Sequence, residues 1–219
     1  MNIAFGVPVH NNFKGLTELL NSMWGNKISI FVYNNWSENF GVPRAWNEIL
    51  MNTLSYDITV ICNDDVIFLD KSFNELINNF THRSKEYILM TVRNIIDVNA
   101  KYGPNYCCFA VNSQEYTDTI GLFDENFWPG YMEDADSHYR IALANKKACN
   151  CELATITHKE FQTRKNAFPR EILTPKMLTQ NKMYYHKKWG GHPGEETFKL
   201  PFNNVNMTIK DWPCYKIHI

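Results

Sequence analysis

ICNDDVIF, spanning Ile61 to Phe68, interrupts an apolar run with Asn63, Asp64 and Asp65 and then resumes it. Apolar runs rich in β-branched residues read as buried strands of a parallel sheet, and the carboxyl end of such a strand is where open α/β sheets bind ligands. Two carboxylates in that position suggest a divalent cation. Asn and Asp are also ordinary turn formers, so the same residues fit a polar turn between two strands.

Upstream, the chain alternates strand and helix patterns. Ile3 to Val9 and Ile28 to Tyr33 read as strands, Leu16 to Met23 as a helix, and a polar loop through Asn34 to Asn39 leads to a helix over Ala45 to Met51 and the strand Ile58 to Cys62. This βαβαβ order predicts a parallel sheet with right-handed crossovers, whose strand ends line one crevice. Downstream, a helix is predicted over Ser72 to Phe80 with Ser72 as its cap, and strands over Tyr87 to Val92, Cys107 to Asn112 and Cys151 to Thr157. After His158 the pattern is irregular and rich in aromatics, Lys, Gly and Pro. Trp189, Phe198, Phe202 and Trp212 there require burial, so this tail is expected to pack against the site rather than act as a linker.

A second acidic cluster lies in GLFDENFWPGYMEDADSHYRIALAN, Gly121 to Asn145. An aromatic loop punctuated by Pro129 and Gly130 leads into Glu133, Asp134 and Asp136, and a helical pattern follows. Acids in a first turn are favoured by capping and by the helix dipole, so the cluster fits a capped helix start as well as a site.

The chain has 219 residues, 44% hydrophobic and 14% aromatic, enough for one core without disulfide staples. A single domain is expected, with residues 1–112 as one half and 113–219 as the other. No apolar run reaches the ~18 residues of a membrane span, and the N-terminus lacks a signal-peptide pattern, so a cytoplasmic location is expected. The net charge of -1 gives no global basic field for nucleic acid. Lys159, Arg164, Lys165, Arg170, Lys176, Lys182, Lys187 and Lys188 nevertheless form a local excess, suited to a diphosphate or to plain solvation. The six cysteines include no CxxC pair, which argues against a zinc knuckle and for buried free thiols.

Taken together, the strand ending NDD, the GLFDENFWPGYMEDAD segment and KWGGHPG at Lys188 to Gly194 resemble family 2 of the nucleotide-sugar glycosyltransferases, over nearly the whole chain. The likeness is greatest to small single-domain members from bacteria and tailed phages. It implies a GT-A fold, a Rossmann-like, mostly parallel central sheet flanked by helices with an irregular C-terminal tail, located in a bacterial cell or a phage-infected host. It also implies transfer of a hexose or pentose from a nucleotide diphosphate sugar, UDP-linked by family habit, to an acceptor hydroxyl with inversion. The family's Asp-x-Asp motif appears as Asn63-Asp64-Asp65, with an amide replacing the first acid.

The resemblance assigns roles residue by residue. Asp65 and His158 would hold Mn2+ or Mg2+, with Asn63 and Asp64 flanking the donor. Pro8, His10, Asn11, Asn34, Arg44 and Asn47 would line the nucleotide pocket, the 1–112 half being the nucleotide-sugar half. Lys187, Lys188 and Gly190 would close over the diphosphate. Asp134 would be the base and Glu133 a ligand of the acceptor, with exchangeable roles; Trp128 and Tyr131 would contact the acceptor, and Asp136 would be structural. The acceptor would be a glycan or other small hydroxyl compound. A hydroxymethylated pyrimidine of phage DNA is the alternative acceptor, and a non-catalytic nucleotide-sugar-binding protein the second alternative.

Overall fold

The computed structural model describes residues 1–23, 25, 27–34, 39–94, 106–158 and 175–213. Asn35 to Glu38, the cations Lys159, Arg164, Lys165 and Arg170, and Cys214 lie outside them. The strands are β1 (Ile3–Val9), β2 (Ser29–Asn34), β3 (Ile58–Cys62), β4 (Val66–Phe68), β5 (Leu89–Asn94), β6 (Cys108–Val111) and β7 (Ala148–His158). They form one sheet in the order β2-β1-β3-β6-β5-β7-β4.

β1 is parallel to β2 and to β3, and β5 is parallel to β7. The pairs β3 with β6, β5 with β6 and β4 with β7 are antiparallel. The sheet is therefore mixed, which corrects the expectation of a mostly parallel one. Only residues 63–65 separate β3 from β4, and they span at most about 14 Å. In a flat sheet the two strands would stand about 19 Å apart at the usual spacing. The sheet must curl to bring β4 back toward β3, and the Phe68 amide donates to Ser22 Oγ at 3.1 Å on the helix that β4 crosses.

Helices cover both faces. On one, α1 (Phe13–Ser22) and α3 (Ser72–Arg83) bury Leu19, Phe73, Leu76, Ile77 and Phe80 against Phe5, Val7, Val60 and Cys62. The spacing of the four α3 residues puts them on one helical stripe. Lys71 rather than Ser72 occupies the α3 cap position, because the Ser72 hydroxyl accepts from the Thr155 amide of β7 at 2.9 Å. On the other face, α2 (Val42–Asn52), α4 (Ser113–Thr119) and α5 (Glu133–Leu143) pack Trp46, Ile49, Tyr116 and Ile141 against Ile61, Phe109 and Val111. The five described cysteines are free, and all but Cys149 are buried. Among the described residues no helix is long and apolar enough to cross a membrane.

The tail is less irregular than expected: α6 runs from Pro175 to Trp189, followed by a 3-10 turn at Pro201–Asn203. A cluster of four charges, all fully buried, fastens α6 to the body. Lys188 Nζ lies 2.8 Å from Asp124 Oδ2 and 2.6 Å from Asp136 Oδ1, and Arg140 Nη2 lies 2.9 Å from Asp136 Oδ2. Arg140 Nη1 donates to the carbonyls of Ile120 and Leu122, Trp189 Nε1 donates to Asp136, and the Tyr184 hydroxyl donates to Asp124. Burial alone would raise the Asp136 pKa, but Lys188 and Arg140 outweigh it and hold the carboxyl below its ordinary value.

Removing one partner of a buried pair strands the other, at a cost of roughly 3–5 kcal/mol. Lys188→Ala is therefore expected to lower the urea midpoint sharply, while Lys187→Ala, one residue away and exposed, leaves it in place. Because the folded-state pKa of Asp136 is depressed, its contribution is present above the unfolded pKa and is lost as pH falls through the folded one. Asp136→Asn should thus lose less stability than the wild type on acidification below about pH 4, the unfolded carboxyl value, as measured by denaturation at stepped pH.

Candidate active site

The C-terminal ends of β1, β2, β3, β5 and β7 share one end of the sheet, as their pairings require. β4 sets the geometry there. Its pairing places Val66 opposite His158, so Asp65, the preceding residue, meets the imidazole with Oδ1 2.9 Å from Nε2. Asp65 is buried and His158 nearly so, and His158 Nδ1 has no hydrogen-bond partner among the described residues.

Asp64 faces the other way. Its Oδ2 accepts from the His10 amide at 3.2 Å, and its Oδ1 and carbonyl each accept from Asn12 Nδ2 at 3.1 Å. Burial pushes its pKa up to about 6 against the opposing pull of these hydrogen bonds. Asn12 also caps α1, its Oδ1 accepting from the Gly15 amide at 3.1 Å. One amide thus supplies an acceptor to the helix and a donor to the acidic turn. The sequence reading missed this role, although Asn before a helical pattern is a recognisable cap signal. Asn63 stays near the turn, its backbone N–H donating to the Cys107 carbonyl at 2.8 Å.

Of the residues expected around the nucleotide, Pro8 lies beside Tyr33 in register, while exposed Asn34 pairs with Val9 at the end of β2. Asn11 is exposed in a left-handed conformation. Arg44 is half-buried, its guanidinium carbon 4.4 Å from the centroid of the Phe40 ring. Asn47 instead joins α2 to a distant loop, donating to the Phe123 carbonyl and Glu125 and accepting from the Phe123 amide. Lys188 is fully buried in the charge cluster described above, and exposed Lys187 has no such tie among the described residues. At Gly190, with φ +72, a Cβ would strike Thr197 and Phe198, so the glycine serves close packing of the chain that returns past Trp189. This end of α6 is thus a packed helix end, with Lys188 in the charge cluster and Gly190 against Thr197 and Phe198.

The second acidic cluster also meets this end of the sheet. A crossover helix between parallel strands starts at their carboxyl end, so the N-terminus of α2 lies there. The Val42 amide donates to the Pro129 carbonyl at 2.9 Å, and Trp128 Nε1 donates to the Asn39 carbonyl at 2.8 Å. These bonds bring the aromatic loop, and the α5 start that follows it, to the same side. Glu133 is buried with Oε2 lacking a hydrogen-bond partner among the described residues. Burial, and then the neighbouring Asp134, raise its pKa well above the ordinary carboxylate range. Asp134 is more accessible, accepts from the Ala135 amide at 2.7 Å, and is also raised, chiefly by desolvation. Tyr131 is exposed at the rim, and Asp136 is turned into the core.

Among the described residues no three His, Cys, Asp or Glu side chains are placed to hold a metal ion. Asp65 and His158 nevertheless fit a divalent cation as a two-ligand site. Their 2.9 Å separation is about that of neighbouring ligands in an octahedral shell with bonds near 2.1 Å, and such ions take remaining ligands from water and substrate phosphates.

No sequence-family profile matches this chain, and no curated protein matches it. Solved structures do. The chain resembles Staphylococcus aureus TarS 1-349 in complex with UDP-GlcNAc, at TM-score 0.58 and 14% identity, over 83% of this chain and 64% of that one. It resembles GalNAc-T7 with UDP, GalNAc and Mn2+ at TM-score 0.60 and 9% identity, over 86% and 48%. The catalytic domain of Drosophila β1,4-galactosyltransferase 7, in complex with xylobiose, gives TM-score 0.55 and 15% identity over 93% and 84%. The chain therefore spans just under two thirds of the TarS fragment and about half of the GalNAc-T7 chain. At these identities the likeness shows a glycosyltransferase fold of the GT-A type.

Gly15 supplies a test of the Asn12 clamp. A Cβ there would fall inside contact distance of Asn12 Nδ2 and the Asp64 carbonyl. Gly→Ala within a helix ordinarily gains up to about 1 kcal/mol. Gly15→Ala is expected to lower the thermal midpoint instead, by separating α1 from the acidic turn.

Proposed function

We propose that this chain is a metal-dependent, inverting glycosyltransferase of the small single-domain family 2 type, moving a sugar from a nucleotide diphosphate donor to an acceptor hydroxyl. The observation that carries the reading is the contact of Asp65 with His158 at the carboxyl end of the sheet. Support comes from the neighbours, which include a UDP-GlcNAc complex and a GDP-Man and Mn2+ complex. A uridine nucleotide is the favoured donor and Mn2+ the favoured ion, since imidazole suits manganese better than magnesium.

Asp65 and His158 would hold the cation, which when bound supplies Lewis-acid stabilisation of charge on the departing diphosphate. Asp64 holds the Asn63-Asp65 turn against the His10 amide and Asn12, so that Asp65 and not Asp64 faces the donor. His10, Asn11 and Asn34 would flank the nucleoside, with Arg44 beside them. Asp134 accepts the proton of the attacking hydroxyl. Its raised pKa makes it a stronger base than an ordinary aspartate. Glu133, its pKa raised by burial and by Asp134, would hydrogen-bond the acceptor, and Tyr131 and Trp128 offer rings to a sugar face. In-line attack from the side opposite the diphosphate inverts the anomeric centre.

A saccharide or other small hydroxyl compound is the favoured acceptor. Exposed Lys176, Lys182 and Lys187 on α6, a helix without an acidic residue, keep hydroxymethylated DNA as the second acceptor class.

Thermal-shift screening of nucleotide sugars with and without Mn2+ tests the donor side. Stabilisation should need both, and Asp65→Ala should abolish the Mn2+-dependent part, with a smaller loss for His158→Ala. Equal stabilisation of wild type and Asp65→Ala would remove the metal assignment. On the acceptor side, Asp134→Asn should reduce kcat by ~10² to 10⁴ with donor binding retained. A larger kcat loss in Glu133→Gln than in Asp134→Asn would exchange their roles, and full activity in both would reduce the cluster to a helix start. Salt-sensitive transfer to hydroxymethylated DNA, with none to soluble glycans, would select the second acceptor class.

A further inference from the structure

The turn that delivers Glu133 and Asp134 is conformationally unfavourable. Tyr131 and Met132 adopt successive left-handed conformations, φ 73° and 79°, where neither is glycine. A residue with a Cβ is disfavoured in this conformation relative to ordinary backbone, so the surroundings must hold the turn in place. The Met132 cap position makes no side-chain capping bond.

From the α6 side the turn is met by Asn181. It lies on α6, is buried, and directs its amide nitrogen at three carbonyls of this loop. Nδ2 is 2.7 Å from the Gly130 carbonyl, 3.2 Å from that of Tyr131 and 3.4 Å from that of Trp128. Carbonyl oxygens that converge in a buried space repel one another unless a donor stands between them, and an amide nitrogen supplies two N–H groups without a charge. Asn181 shares its helical stripe with Tyr185 and Lys188, four and seven residues on, both fully buried. Lys188 is fastened by Asp124 and Asp136, so the donor is mounted on a fixed support.

We propose that Asn181 is a positioning residue for sugar transfer: by gathering the carbonyls of the left-handed turn, it fixes where Glu133 and Asp134 stand. The proposal rests on the glycosyl-transfer reading for its catalytic consequence and on geometry alone for the clamp. Misplacement of reacting groups by about 1 Å can cost 10²-fold in rate. The side chain touches no substrate, so its loss should appear in kcat and not in donor KM.

The test compares Asn181→Leu, of similar size without a donor, with Asn181→Asp, which turns an acceptor toward the three carbonyls, and Asn181→Gln, which keeps the amide. Two readouts are taken on the full chain: amide hydrogen exchange over residues 129–136, and steady-state transfer. Expected are faster exchange confined to 129–136 in the Leu and Asp variants, kcat lower by ~10- to 100-fold with donor KM within about twofold, and partial recovery in Asn181→Gln. Should Asn181→Leu not fold, the Asp and Gln pair carries the same comparison. Unchanged exchange at 129–136, or exchange that rises uniformly across the chain, overturns the clamp; wild-type kcat in a folded Leu or Asp variant overturns the catalytic role. If the wild type transfers no sugar from any donor while local exchange still rises in the variants, the glycosyl-transfer reading has failed and the clamp stands.

Discussion

Four charges with no contact with water, Asp124, Lys188, Asp136 and Arg140, hold the C-terminal half of the molecule in place. The sheet and its two helical layers have large apolar cores of their own. By contrast, α5 and α6 meet over a small cluster centred on Phe127, Tyr185 and Trp189. Apolar contact of that size is non-directional and leaves one helix free to slide on the other. Ion pairs with fixed partners do not, and because two anions meet two cations the cluster carries no net charge into the interior. Such a network need not add stability over a well-packed apolar substitute. Its contribution here is register: Lys188 fits between two carboxylates that come from different segments, and Arg140 ties one of those carboxylates to the carbonyls of residues 120 and 122.

Register set at one end of α6 is felt at the other. Seven residues before Lys188, the same face meets the loop that opens α5, and the start of α5 carries Glu133 and Asp134. On the opposite flank, the first turn of α2 ties the same loop to the strand ends. The acids are thus suspended between a crossover helix of the sheet and a helix outside it. The Asp64-Asp65 turn is held differently, by backbone pairing of β4 with β7 and by the Asn12 amide. Two unrelated sets of constraints meet across the crevice, one built from strand register and the other from buried polar side chains.

This division explains what could be read from the sequence. The first three strands, the two crossover helices between them and the acids at the end of β3 all have local signatures, in β-branched runs, in helical spacing and in abrupt polar endings. Asp65 and His158 stand 2.9 Å apart in the fold, although about ninety residues separate them in the chain. The orientation of the later strands was less legible, because direction is set by the connection and not by the composition of the strand, and β4 is too short to show a period. α6 was missed for another reason. Its buried face includes Asn181 and Lys188, polar residues that blur the apolar stripe by which a helix is recognised. Lys187 and Lys188 are identical neighbours with opposite surroundings, and only the distant carboxylates of Asp124 and Asp136 distinguish them. The glycines after Trp189 read equally well as a phosphate loop or as close packing, and the returning segment at Thr197 and Phe198 packs against Gly190.

The curl that returns β4 to the sheet also orders events during synthesis. Asp65 emerges early, on a turn between two strands, yet the strand that β4 pairs with is the last of the seven to be made. Until β7 arrives, β4 has no described partner in the sheet, and the histidine at the end of β7 is its final described residue. A nascent chain can therefore assemble the β1-β2-β3 layer and its crossovers while still lacking the pair that would grip a cation. Closing so long a loop is slow compared with forming those local crossovers. The Asp65–His158 contact is then a late product of chain assembly, and its completion reports that the described sheet has closed.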